Sequence, residues 1–434
     1  MNNNARNDQR LNRPLAQDVA RLHDVELKHE RVRQLLNATD RNALLLQSPE
    51  NIAWFTAGVD PFRCASEDCT TSLFVTPDAR LFATNSVDSA QIFEREAYGL
   101  GFQLKQREWF QPHQELVADL CRSRNVLSDQ YVKGARYDRE AVRAIRLPLT
   151  DLEVARLRRL SRIAVHAVEA TGQNLRHGVT EAEVAGQISH RLLKRTTAAT
   201  RIQVCADGRN ERYRHWTFGE HPINNFAVLS CIARRWGLHV GVTRTVCLEN
   251  VPGDLWKGFQ QALLLHATGI FFSRAGQTLS DVWERVHRIY DKFGMSNEWQ
   301  LSDQADVIGY SSSECQLTPD ADYRLASPAA VFWHSSVGPA MVGDTILLLD
   351  SSNEQLTRSS SWPYVPVQVK GREVLCPGIL RVRTEDQSTD ASSIEEAAAS
   401  PDDSLESREK GPAQVESFRK MNLPTFGTVP AEDG

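Results

Sequence analysis

Apolar positions along the chain follow two different rhythms. In the first third they come as short runs bounded by turn formers. NALLLQSP reads as a buried strand, and TSLFVTP and RLFATN read as two strands joined by a Pro-Asp-Ala turn. DSAQIFEREAYGL reads as a helix capped by Asp88. Strands and helices alternating in this way predict an α/β unit.

The rhythm changes near Leu147-Pro148-Leu149-Thr150-Asp151, where a capping Thr or Asp opens a long helical stretch. DLEVARLRRLSRIAVHAVEATG and TEAEVAGQISHRLLKR carry an apolar residue every three or four positions, which predicts two amphipathic helices. Strands follow at FAVLSCIARRW, LHVGVTRTVCLE, AAVFWHSS and GDTILLLDS. Between them, helices are expected around GDLWKGFQQALLLHATGIFF and SDVWERVHRIYDKFG. Helices grouped on one side of a mostly antiparallel sheet define an α+β architecture. The expected organisation is disorder over residues 1–18, an α/β domain over 19–147, an α+β domain over 148–384, and a disordered acidic, Ser-rich tail over 385–434.

Composition narrows the function classes. At 434 residues, two domains are the natural division, and 41% hydrophobic with 24% charged residues match an ordinary soluble chain. A net charge of -5 provides no basic field for nucleic acid, and no apolar run suits a membrane span or leader, so a cytoplasmic protein is expected. The eight cysteines never form a CxxC pair and read as buried, reduced side chains. Cys64 and Cys69, the one close pair, read as two thiols in a loop.

Certain strings, in order, resemble the pita-bread peptidase family, to which aminopeptidase P, prolidase and creatinase belong. SPENIAWFTAG is similar to its amino-terminal domain. GVTRTV is similar to its Asp-Ile-Thr-Arg-Thr strand, VIGYSSSE to its Gly-His-Gly-Ile-Gly segment, and VGDTILL to its Glu-Asp-Thr-Val-Leu-Val strand. The resemblance spans about residues 30–380. It implies a pita-bread carboxy-terminal domain, a smaller α/β amino-terminal domain and a homodimer.

In that family two Asp, one His and two Glu hold a pair of divalent ions, which activate a bridging water. Matching positions here are Ser230 (or Ile232), Gly241, Asp306, Ser335 and Gly343, so four of the five lack a carboxylate or imidazole. Residues from Phe226 to Leu248 contain no Asp or Glu, so a shift of register recovers none. No metal or other cofactor is therefore expected.

Creatinase-like relatives work without metal, using a His as proton shuttle. RNERYRHWTFGEHP is similar to the family's substrate-facing loop and makes His215 the candidate acid/base, with Glu314 as the matching acid. Tyr213, Arg244, Asp306 and His334 complete a candidate substrate-binding set. Arg209, Arg212, Arg214, Arg234 and Arg235 are further candidates for a cationic recess, and Trp216, Trp236 and Trp333 could line it.

Three functions stay open. One is a metal-independent hydrolase acting on a small amide, amidino or peptide-like compound. Another is a non-catalytic protein that binds a peptide or protein in the cleft. A third is an Xaa-Pro aminopeptidase with ligands rebuilt from Asp306, Glu314, His334 and Asp344. Convergence of His215, Glu314 and an Arg in one pocket would favour the first.

Overall fold

A computed structural model describes residues 17–60, 70–295 and 297–382. Cys64 and Cys69, residues 1–16 of the stretch 1–18 expected to be disordered, and the expected disordered tail over 385–434 lie outside the described residues.

The first helix, α1 (Val19–Thr39), was not legible in the apolar rhythm because its buried face carries Asp24, Lys28 and His29 beside Val25, Val32, Leu35 and Leu36. Then come β1 (Ala43–Leu46), α2 (Pro49–Phe55), β2 (Ser72–Val75), β3 (Arg80–Asn85), β4 (Gln103–Arg107), α3 (His113–Cys121), β5 (Val126–Ser128) and β6 (Ala135–Tyr137). They form a six-stranded mixed sheet in the order β4-β3-β2-β1-β5-β6. Its central strand shows why a continuous apolar run reads as buried on both faces. Leu44 and Leu46 join one hydrophobic cluster, and Ala43 and Leu45 join another. The helix expected over DSAQIFEREAYGL is only a π-helical turn at Gln91–Glu96.

After α4 (Arg139–Arg146) come α5 (Asp151–Gln173) and α6 (Glu181–Leu193), each opened by a Thr–Glu capping box, Thr150 with Glu153 and Thr180 with Glu183. The second sheet contains β7 (Ala198–Ala206), β8 (Phe226–Arg235), β9 (Leu238–Cys247), β10 (Ala305–Ile308), β11 (Cys315–Gln316), β12 (Ala329–Val337) and β13 (Ala340–Leu348), in the order β11-β10-β12-β13-β9-β8-β7. All these pairings are antiparallel. Helices α7 (Gly253–Phe272) and α8 (Leu279–Lys292) lie between β9 and β10 in sequence.

α5 and α7 cover one face of this sheet. Glu169 of α5 meets Arg244 of β9, and a Cβ on Gly269 of α7 would touch the Trp333 ring of β12. The opposite face, here called the site face, is the one on which the resemblance places the metal ligands.

Two buried networks tie the sheets together. Lys28 of α1 is fully buried and paired with Asp24 at 2.5 Å and Glu153 of α5 at 2.6 Å. Arg146 of α4 grips the Glu314 carboxylate and also donates to Asn51 of α2. Trp236 and Gly237, at φ 54° and 81°, form the two-residue turn between β8 and β9, and a Cβ on Gly237 would lie 2.5 Å from Ala53 of α2.

Candidate functional site

Strand register decides which residues face the site. Directly opposed residues share a face, so the pairs Ile232–Gly241, Ser230–Thr243, Thr243–Gly343, Gly343–His334 and Phe332–Asp306 put all of these on the site side. Ser335 alternates to the helix side, so His334, one residue earlier, holds the site-face position opposite Gly343.

The paired divalent ions of the resembling family do not fit these residues. A Cβ on Gly241 would stand 2.4 Å from the Phe332 ring, and one on Gly343 would stand 2.6 Å from the Thr243 hydroxyl, so neither position has room for a carboxylate. The hollow is filled and internally satisfied. Ser230 and Thr243 share a hydroxyl hydrogen bond of 2.8 Å, and Thr345 Oγ1 accepts from the Gly241 amide at 3.0 Å and donates to its carbonyl at 2.7 Å.

Of the predicted site residues, Asp306 and His334 are brought together. His334 Nε2 lies 3.1 Å from Asp306 Oδ2, and the Ser313 hydroxyl donates to Asp306 Oδ1 at 2.5 Å. His215, 60% exposed on the loop between β7 and β8, joins this group through a residue that sequence reasoning missed: its Nε2 is 3.4 Å from Asp303 Oδ1. Asp303 Oδ2 in turn lies 4.0 Å from His334 Nε2 and accepts from Gln316 at 3.1 Å. The spacing DQAD, two acids three apart, was the available signal for Asp303. Burial by itself would raise the Asp303 carboxyl, but His334, His215 and Arg201, with the Gln316 hydrogen bond, hold it below the usual range.

Glu314 and Arg244 do not join that group. Both oxygens of Glu314 are held by Arg146, and Oε1 also accepts from the Ser311 amide. Arg244 is fully buried on the helix side, paired with Glu169 at 2.8 Å and Asp344 at 3.0 Å. The reason is alternation: Arg244 lies between Thr243 and Thr245 and must face away from Thr243. Tyr213 is half-exposed and packs beside Trp216.

The expected cationic recess does not form. Arg214 pairs with Glu298, Arg234 with Asp60, and Arg235 stacks on Trp236. The three tryptophans serve elsewhere as well: Trp216 donates to Glu181, Trp236 forms the hairpin turn, and Trp333 is buried and donates to Ser273. His239 is an interior imidazole 3.1 Å from the Gly309 carbonyl; burial pushes it down to about 4, against that hydrogen bond.

A cleft of about 480 Å³ opens beside His215 and Asp303, lined by α8 and the loop before β10. Trp283 and Trp299 meet edge to face in its wall with centroids 5.4 Å apart, and Tyr290, also lining it, is buried with a hydroxyl that has no hydrogen-bond partner. No helix among the described residues is long and apolar enough to cross a membrane.

Residues 155–316 match the family model described as metallopeptidase family M24. No curated protein matches the sequence. Among solved structures, an Xaa-Pro dipeptidase from Bacillus anthracis is similar at 18% identity and TM-score 0.64, over 77% of this chain and 98% of that one. A prolidase from Thermococcus sibiricus is similar at 13% identity and TM-score 0.67, over 80% and 98%. The N-terminal domain of FACT complex subunit SPT16 from Cicer arietinum (chickpea) is similar at 9% identity and TM-score 0.60, over 78% and 96%.

Proposed function

Because the chain is a pita-bread member of metallopeptidase family M24, with the family's smaller amino-terminal domain, we propose that it is a non-catalytic member that uses its cleft to bind a peptide or protein segment. The observation that carries this reading is the Phe332 ring packed on Gly241, where the family needs a carboxylate. Loss of both Asp positions removes the charge that two divalent ions require. The part-exposed Trp283 and Trp299 in the cleft wall supply contact area of the kind that anchors peptide segments. A solved relative of this fold is, by its printed name, a subunit of a protein complex. The test is hydrolysis of Xaa-Pro dipeptides with Mn²⁺ or Co²⁺ supplied. No turnover is expected, and turnover abolished by a chelator would overturn the reading.

One observation favours a second reading, a metal-independent hydrolase. The carboxylate of Asp303 is placed to orient the His215 imidazole on the cleft wall, an arrangement suited to general base work. In this reading Glu314 takes no part, since Arg146 holds both its oxygens. Turnover of a small amide or amidino compound that disappears in His215→Ala would establish it. A cytoplasmic homodimer completes the proposal, and light scattering of the purified chain at twice the 48.8 kDa protomer mass would support the dimer.

A further inference from the structure

The geometry points to a single zinc-type divalent cation site made by Asp303, Asp306 and His334, different from the family's paired-ion site although Asp306 and His334 stand at or beside two of its ligand positions. One donor atom from each residue lies within 4.8 Å of the others, among them the 3.1 Å and 4.0 Å separations from His334 Nε2. A zinc ion with ligand bonds of about 2.0–2.2 Å sits among donors about 3–4 Å apart, so small side-chain adjustments close the set. One imidazole and two carboxylates suit Zn²⁺; Ca²⁺ and Mg²⁺ require more oxygens in their shell.

The surroundings are those of an ion site rather than of a simple ion pair. Each carboxylate is oriented by a further donor, Ser313 on Asp306 and Gln316 on Asp303. His334 and Asp306 are buried, whereas Asp303 is 17% exposed and lines the cleft, which leaves an entry path. A fourth donor is near, since His215 Nε2 is 3.4 Å from Asp303 on an exposed loop. The Tyr290 side chain, whose buried hydroxyl has no hydrogen-bond partner, borders the same cleft.

The site does not reconstruct the family's pair. Phe332 reaches across β13 to cover Gly241, while the His334 imidazole, with its centroid 4.9 Å from that ring, turns to Asp306 on β10. Asp303 matches none of the five family positions. The proposal stands independently of the non-catalytic reading.

The full chain, stripped with chelator and titrated with Zn²⁺ alone by calorimetry, should take up one equivalent, and Co²⁺ should give visible bands of a four-coordinate site. Asp303→Asn and Asp306→Asn should each weaken uptake at least tenfold, and Ser313→Ala about 10–100-fold. His334→Ala should abolish it. Because His334 is buried, circular dichroism of each variant accompanies the titration, and the rim variant Asp303→Asn decides if His334→Ala fails to fold. Absence of stoichiometric uptake by the native chain, or uptake unchanged in both Asp variants, would overturn the site. One-ion uptake with Xaa-Pro turnover keeps the site and removes the non-catalytic reading; no uptake with no turnover does the reverse.

Discussion

On the helix side of β9 and β13, Arg244 sits among Glu169, Asp344 and Tyr364, while one residue away on the site side Gly241, Thr243 and Gly343 present no charge at all. The same two strings, GVTRTV and VGDTILL, supply both faces. Their alternate residues enter environments that answer to different demands. The helix side keeps its ions because each is paired and hydrogen-bonded: Asp344 accepts from Arg244 and Thr357, and lies 3.5 Å from His266. Burial would raise the Asp344 carboxyl, but Arg244 and His266 hold it below its ordinary value. At Gly241, Thr243 and Gly343 the site face instead carries hydroxyls and the Phe332 ring. Strings that look like remnants of a catalytic strand are here the structural half of that strand.

The contrast between the faces can be broken most severely from the helix side. Arg244→Met strands Glu169 and Asp344 as buried charges and should lower stability by about 3–5 kcal/mol, read as a fall in the urea midpoint. By contrast Arg158, whose pair with Glu354 at 2.7 Å is nearly half exposed, should cost less than about 1 kcal/mol when changed to Ala.

Next in size is a pH effect from His239, which faces the Gly309 carbonyl. Its folded value of about 4 lies below the ordinary 6.5, so the unfolded chain binds the extra proton. The contribution is complete above pH 6.5 and is lost as pH falls toward 4, a decline on the order of 3 kcal/mol. His239→Leu should flatten the stability profile across that window; an unchanged slope would show that other groups set it.

Smaller again is the packing of the site face. Gly241→Ala should destabilise by about 1–3 kcal/mol because the new methyl meets the Phe332 ring. Coupling in a double-mutant cycle with Phe332→Leu should be favourable, since the smaller side chain makes room. Near-additivity would mean that the hollow is looser than described.

Much of this fold could be read in the sequence, and the failures have physical causes. Strands β1, β2, β3, β8, β9, β12 and β13 announced themselves by apolar runs bounded by turns. A capping Thr or Asp marked the start of α5, and the apolar rhythm marked α6. α1 escaped because Lys28 and Asp24 are buried as a pair and interrupt the apolar stripe. The absence of any Asp or Glu from Phe226 to Leu248 was legible because it depends on residue type. Where each remaining side chain points was not, since Ser335 and His334 differ only by one step of alternation and Arg146 reaches Glu314 from 168 positions away. Asp303 and the Trp283–Trp299 wall come together only through the fold.

The most direct test is an anomalous difference map from crystals soaked in Mn²⁺ and measured at the manganese edge. The account predicts no peak in the space bounded by Ser230, Gly241, Phe332 and Gly343, whatever is found at Asp303. Two peaks in that space, about 3.5–4 Å apart, would contradict it.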